Sequence, residues 1–169
     1  MPGGTGEAKA GGNYAGSFKA GQIAKQKGFD QVIWLESPDF KKIQEAGMMN
    51  LFFVIGDTVL TPALSGAILK GTTRTYFLDI LKEKNIQVEV RDIYIDEIIA
   101  AYQQGNLKEA FGSGTAAVVS HISAITHGDM CMTLPNAKDA LISNMLHKEI
   151  NGLRAGIIED KRNWLVPVS

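Results

Sequence analysis

Apolar and polar positions change period several times along this chain, and each change marks an element. After a glycine-rich start, Asn13 can cap a helix that runs to Lys27, with Gly28 as its stop. QVIWLE then reads as a strand. NLFFVIGDTVLTPAL holds two apolar runs joined across Gly56-Asp57, a dipeptide that turns easily, and predicts a hairpin. In KGTTRTYFLDILKEKN, Phe77, Ile80 and Leu81 fall at helical spacing behind a Gly-Thr-Thr start. IQVEVRDIYI predicts a strand, and DEIIAAYQQG a helix opened by Asp96 and closed by Gly105. EAFGSGTAAVVSHISAIT combines a glycine turn with a β-branched run. NAKDALISNMLHKEINGLRAG predicts a C-terminal helix with Leu141, Met145 and Leu146 on one face and Gly152 or Gly156 near its end. Strands and helices mix without an internal repeat, so the fold class is α/β or α+β.

Composition narrows the partners. With 169 residues, 45% of them hydrophobic and 21% charged, the chain can bury a core as one compact domain. A formal net charge of -1 leaves no basic footprint for nucleic acid and no polybasic membrane signal, so small molecules or protein are the expected partners. Cys131 is the single cysteine, which excludes a disulfide framework and a thiolate metal cluster. Its neighbours in DMCMTLP are apolar or small, and it reads as a buried, inert thiol. MPGGTGEAK lacks the apolar core of a signal peptide and no apolar run is long enough to cross a bilayer, so a cytoplasmic location is expected. His121, His127 and His147 are scattered without ligand spacing and imply no metal site. The charges of LKEKN and EDKRN read as solvated faces.

Three glycine-containing turns are candidates for chemistry. GGTGEAK is not a phosphate loop of the Walker type, because Lys9 is neither preceded by glycine nor followed by Ser or Thr, and no strand leads into it. Alone, this segment reads as a solvated tail. GSGTAA, from Gly112 to Ala117, fits the loose dinucleotide pattern, but a strand-like run follows where a helix is required. KGTTR is the better phosphate cradle: Gly71 lets a ligand approach the backbone, while Thr72 and Thr73 open a helix whose first N–H groups face outward at the positive dipole end. An ordinary helix cap is the plainer reading of the same residues.

Taken together, KAGGNYAGS, QEAGMMNLFF, LTPALSGAILKGTTR and EAFGSGTAAVVS resemble, in order and at similar spacing, the signature blocks of branched-chain amino acid aminotransferases, fold type IV enzymes that use pyridoxal phosphate. The resemblance extends from Gly3 to the tryptophan segment RNWLVPVS. It implies a mixed sheet or pseudo-barrel with flanking helices. Members of that family carry a further N-terminal domain, roughly as long again, that shares the active site. Residues 1–169 therefore resemble the single C-terminal, cofactor-bearing domain, expected to be inactive alone, of an enzyme that is a homodimer when complete.

The resemblance also implies residue roles. Lys9 becomes the Schiff-base lysine and, once freed, the base that moves a proton between the substrate Cα and the cofactor C4′. Such a lysine needs an unprotonated amine and a backbone a flat ring can approach, which Gly11 and Gly12 supply. Tyr14 matches the tyrosine that hydrogen-bonds the cofactor O3′. Glu45, otherwise an ordinary surface charge, matches the carboxylate that keeps the pyridine nitrogen protonated. Leu69, Gly71, Thr72, Thr73 and Thr115 belong to the cofactor site, with the Thr72 and Thr73 amides, the Thr73 hydroxyl and Thr115 on the phosphate. The Gly114, Thr115 and Ala116 turn offers N–H donors to the substrate carboxylate. The implied reaction transfers the amino group of leucine, isoleucine or valine to 2-oxoglutarate. D-amino acid transamination, the aminodeoxychorismate lyase reaction, and an inactive remnant serving as an interaction domain are the alternatives. Departures are visible too: Lys70 stands where many relatives have proline, Met48 where Thr or Ala is commoner, and Ala117 and Ser120 where mammalian relatives carry a redox-sensitive cysteine pair.

Overall fold

The hairpin read in NLFFVIGDTVLTPAL forms the centre of the molecule in a computed structural model, which describes residues 4–166. Gly3 and the last three residues of RNWLVPVS lie outside the described residues. In chain order the elements are α1 (Gly11–Ala15), α2 (Phe18–Gln26), β1 (Ile33–Leu35), β2 (Ile43–Ala46), β3 (Met49–Ile55), β4 (Thr58–Pro62), α3 (Thr72–Glu83), β5 (Gln87–Arg91) and α4 (Ile95–Gln103). They continue as β6 (Leu107–Gly114), β7 (Val118–His121), β8 (Ala124–His127), β9 (Met130–Thr133), a 3-10 turn (Ala137–Asp139) and α5 (Leu141–Arg154).

β3 and β4 turn at Gly56, whose φ of 56° suits glycine. β3 pairs along one edge with β6, and along the other with β2 and then β4. The β4–β5 pair is parallel, with α3 as its crossover. Beyond β5 the chain bends back to β2: the Ile43 N–H donates to the Ile93 carbonyl at 2.8 Å and the Ile95 N–H to the Lys41 carbonyl at 2.9 Å. The sheet thus curls towards closure, a mixed sheet with flanking helices, in line with the mixed sheet or pseudo-barrel that was expected.

Two cores lie on opposite faces. Leu51, Phe53, Leu60, Ile98 and Met132 pack together under α4 and the β8–β9 hairpin. On the other face Phe52 and Phe111 stack at 5.2 Å, with Phe77 of α3 tilted against them and Leu146 and Ile150 of α5 alongside. Alternation along β3 sends 51 and 53 to one core and 52 and 54 to the other, as strand geometry requires of a sheet covered on both sides. Among the described residues, no helix is long and apolar enough to cross a membrane.

Several expectations are corrected. The helix from Asn13 to Lys27 is broken at Gly16-Ser17 into α1 and α2, since a stretch carrying Gly11, Gly12, Gly16 and Gly21 forfeits about 1 kcal/mol of helix propensity at each. Asn13 lies inside α1, where its Nδ2 donates to the Thr5 and Ala8 carbonyls at 2.6 and 2.9 Å and ties down the loop before it. Asp96 sits in the first turn of α4, with Tyr94 as the cap residue. Leu141 is 80% exposed, and the buried stripe of α5 runs through Ser143, Leu146, Ile150 and Leu153. Cys131 is exposed, because β9 is a strand of a two-stranded hairpin that turns Met132 inward and its neighbours outward. Arg162 of EDKRN is not on a solvated face: it pairs with Glu83 and Glu149, lies 4.8 Å from the Trp164 ring and fastens the C-terminal segment to α3 and α5.

Candidate functional site

Glu45 lies on β2, whose short run IQEA carries it to the rim of a cavity of about 300 Å³ also lined by Tyr14, Trp34, Met48 and Leu69. Burial pushes its carboxyl up to about 7, against the opposing effect of the Leu69 N–H that donates to it at 3.4 Å. A carboxyl whose titration desolvation has raised towards pH 7, in a cleft, is a candidate for chemistry rather than a solvated surface charge.

Leu69 leads into the start of α3. Gly71 is its cap residue, no side chain caps it, and its first turn carries no acid. The first intrahelical bond is Thr75 N–H to Gly71 C=O at 3.1 Å, so the N–H groups of Thr72, Thr73 and Arg74 have no acceptor within the helix. Thr72 is exposed and Thr73 buried. Beneath this loop Asn50, at the head of β3, donates from Nδ2 to the Leu69 carbonyl at 2.8 Å. Asn50 was not singled out in the sequence, although one signal was there: it opens the run NLFF on the same strand face as Phe52, a polar residue where the alternation calls for an apolar one.

At the adjoining end of the sheet, Gly114 closes β6 and Thr115, Ala116 and Ala117 form an exposed turn. Val118, which follows, has a φ of 58°, and the Val119 N–H closes a three-residue turn on the Ala117 carbonyl at 2.7 Å. A left-handed conformation in a buried β-branched residue is strained, and strain of this kind persists where the surroundings impose it.

Lys9 is exposed, on the loop between Ala8, which lines the cavity, and Ala10, which caps α1. A Cβ added to Gly11 or Gly12 would meet no atom within 4 Å, so nothing in this chain presses on that clearing. The structure therefore brings Tyr14, Glu45 and Leu69 into one cleft, with Gly71, Thr72 and Thr73 at the helix start that Leu69 leads into. Lys9, Gly114, Thr115 and Ala116 lie outside the cavity lining. Met48 lines it and is 74% exposed. A larger hollow of about 380 Å³ beside His121 holds none of the expected residues, and its one buried carboxylate, Glu109, is engaged with α5. His127 and His147 stand apart on β8 and α5, and no cluster of metal-ligating side chains occurs among the described residues.

Residues 5–125 match the family described as Amino-transferase class IV. The chain belongs to that family. Over all of its length it is 44% identical to branched-chain-amino-acid aminotransferase 2 of Bacillus subtilis (strain 168), covering 47% of that protein. It is 42% identical over 98% of its length to a probable branched-chain-amino-acid aminotransferase of Staphylococcus aureus (strain N315), covering 46% of it. Among solved structures, a T.th. branched-chain amino acid aminotransferase complexed with N-(5′-phosphopyridoxyl)-L-glutamate superposes with a TM-score of 0.82 at 27% identity, covering 100% of this chain and 53% of that one. The Escherichia coli branched-chain amino acid aminotransferase superposes with a TM-score of 0.79 at 28% identity, over 95% of this chain and 50% of the other. This class IV chain thus spans about half the length of the relatives it matches.

Proposed function

We propose that the chain is the cofactor-bearing domain of a pyridoxal phosphate-dependent branched-chain amino acid aminotransferase, which passes the amino group of leucine, isoleucine or valine to 2-oxoglutarate and works as a homodimer. The observation that carries this reading is the pairing of a half-buried carboxyl, Glu45, with the uncapped, acid-free N-terminus of α3, joined through the Leu69 loop. The residues fit such a cofactor. A free helix N-terminus suits a phosphate dianion, and the Ser113 hydroxyl, buried and without a hydrogen-bond partner, lies in the same strand row as Asn50.

Pyridoxal phosphate, when bound, supplies an aldehyde that takes up the amino group and a ring that accepts the electron pair left at Cα. In its ionised form Glu45 would hold a proton on the ring nitrogen, since an adjacent anion favours the cation. The N–H groups of Thr72 and Thr73, with Thr115, hold the phosphate, and Tyr14 orients O3′. Lys9 would hold the aldehyde carbon and, when released, would move the proton between Cα and C4′. Gly114, Thr115 and Ala116 present N–H groups to the substrate carboxylate. Support for the substrate class comes from the names of the relatives.

Borohydride reduction of the full-length protein with pyridoxal phosphate, followed by peptide mapping, tests the assignment. Label on Lys9 is expected. Label on Lys19, Lys25 or another lysine, with Lys9 unmodified, overturns it.

A further inference from the structure

The register of the sheet sets three polar side chains in one row. Glu45 of β2 lies opposite Asn50 of β3, and Asn50 opposite Ser113 of β6. Residues directly opposite across antiparallel strands project to the same face, here the face whose core holds Phe52 and Phe111 and which α3 covers. Asn50, the middle member, is only 5% exposed.

A buried amide must find partners for both of its ends. Asn50 Nδ2 donates to the Leu69 carbonyl at 2.8 Å and to the Glu45 carboxylate at 3.4 Å. The same Leu69 carbonyl accepts the Gly71 N–H at 2.9 Å. Asn50 Oδ1 lies against Gly71 so closely that a Cβ there would overlap it. The grip is therefore strongest on the loop, at full hydrogen-bond length, and weaker on the carboxylate.

We propose that Asn50 is a positioning residue: its amide ties the Glu45 carboxylate to the Leu69–Gly71 loop and so fixes the spacing between the group that serves the ring nitrogen and the helix N-terminus that serves the phosphate. This rests on the site assignment made above. The tie acts on geometry and on charge together, because an N–H donated to a carboxylate favours its ionised form. The other titratable side chain lining the cavity is Tyr14.

Asn50→Ala and Asn50→Leu in the full-length protein test it, with Val54→Ala as a control that removes apolar contacts from the same face and leaves the loop alone. Asn50→Ala removes the donor and adds no charge beside Glu45, so it serves if the leucine variant does not fold. Two readouts apply: the dissociation constant for pyridoxal phosphate, and the Glu45 carboxyl titration followed by carbon-13 NMR in cofactor-free protein. Both Asn50 variants should weaken cofactor binding by about tenfold, the equivalent of one hydrogen bond to a charged or buried partner, and should move the Glu45 titration upward. Val54→Ala should lower the melting temperature with neither effect. Unchanged affinity together with an unmoved Glu45 titration in both Asn50 variants overturns the proposal. A wild type that takes up no cofactor overturns the site assignment instead, while the Glu45 titration still decides whether the tie exists.

Discussion

Glu45 is a carboxyl whose environment works against its charge, and two outcomes follow from that. The folded chain keeps the proton on Glu45 up to about pH 7, whereas an unfolded chain releases it near 4.5. Between those values the native state binds the extra proton, so stability contributed at low pH is lost as pH rises through that window. In cofactor-free protein, Glu45→Gln should therefore match the wild type in melting temperature near pH 4.5 and exceed it by a growing margin towards pH 8; a flat or shrinking margin would show that burial is not the cause. In the intact enzyme the same substitution should leave the fold in place but slow transamination by at least ~100-fold, because an amide cannot hold the ring nitrogen protonated and each 1.36 kcal/mol is a decade in rate. Steady-state kinetics beside a thermal melt decides this, and near wild-type turnover in a folded variant would point to another carboxylate.

At the scale of elements, the informative feature is how α5 is attached. Its N-terminus has no cap from its own sequence; Glu109, reaching across from β6, accepts from the Ile142 N–H at 2.8 Å, the Ser143 N–H at 2.9 Å and the Ser143 hydroxyl at 2.5 Å. A buried carboxylate that satisfies two free helix donors at the positive dipole end does the work of an N-cap from a distant strand. Glu109→Ala should destabilise the protein by about 2 kcal/mol, the upper range for loss of a cap, and free the first turn of α5. Urea melts and amide hydrogen exchange at Ile142 and Ser143 measure it, and exchange as slow as in the wild type would contradict the capping role. The contrast with α3 is instructive. Where α5 is capped by an acid, the α3 N-terminus is left bare, and a bare terminus is what an anion needs.

For the whole molecule, the exposure of Lys9 governs what the chain can do by itself. An amine in water, beside a cleft lined on this side by Tyr14, Trp34 and Glu45, lacks the desolvated surroundings in which electrostatic stabilisation is strong. Large apolar side chains are also uncovered: Met48, which lines that cleft, is 74% exposed, and Phe18 at the start of α2 71%. We expect the 169-residue chain to fold, to self-associate and to show little or no aminotransferase activity. An assay with leucine, 2-oxoglutarate and added pyridoxal phosphate is the check: turnover within about tenfold of the usual 1 to 1,000 per second would mean that these 169 residues suffice.

The boundary between what sequence and tertiary structure decided follows the range of the interactions concerned. The β3–β4 hairpin, α3 and the stops at Gly28 and Gly105 were legible because alternation, helical spacing and left-handed glycines are local, and the structure repeats them; of the two glycines offered near the end of α5, Gly152 lies inside the helix and Gly156 follows it. The family was legible because its signature blocks are short and ordered. By contrast, β2 is four residues that become a strand only through β3 on one side and the Ile93–Ile95 segment on the other. Leu141 and Cys131 were misplaced because which side of an amphipathic stretch faces inward depends on what packs there. The elevated Glu45 carboxyl, the Asn50 tie and the Glu109 cap arise between residues 5, 19, 24, 33 and 34 positions apart, and no local pattern encodes them. Residue types set which chemistry was available; desolvation and register, which exist only once the sheet has curled, decided which groups could use it.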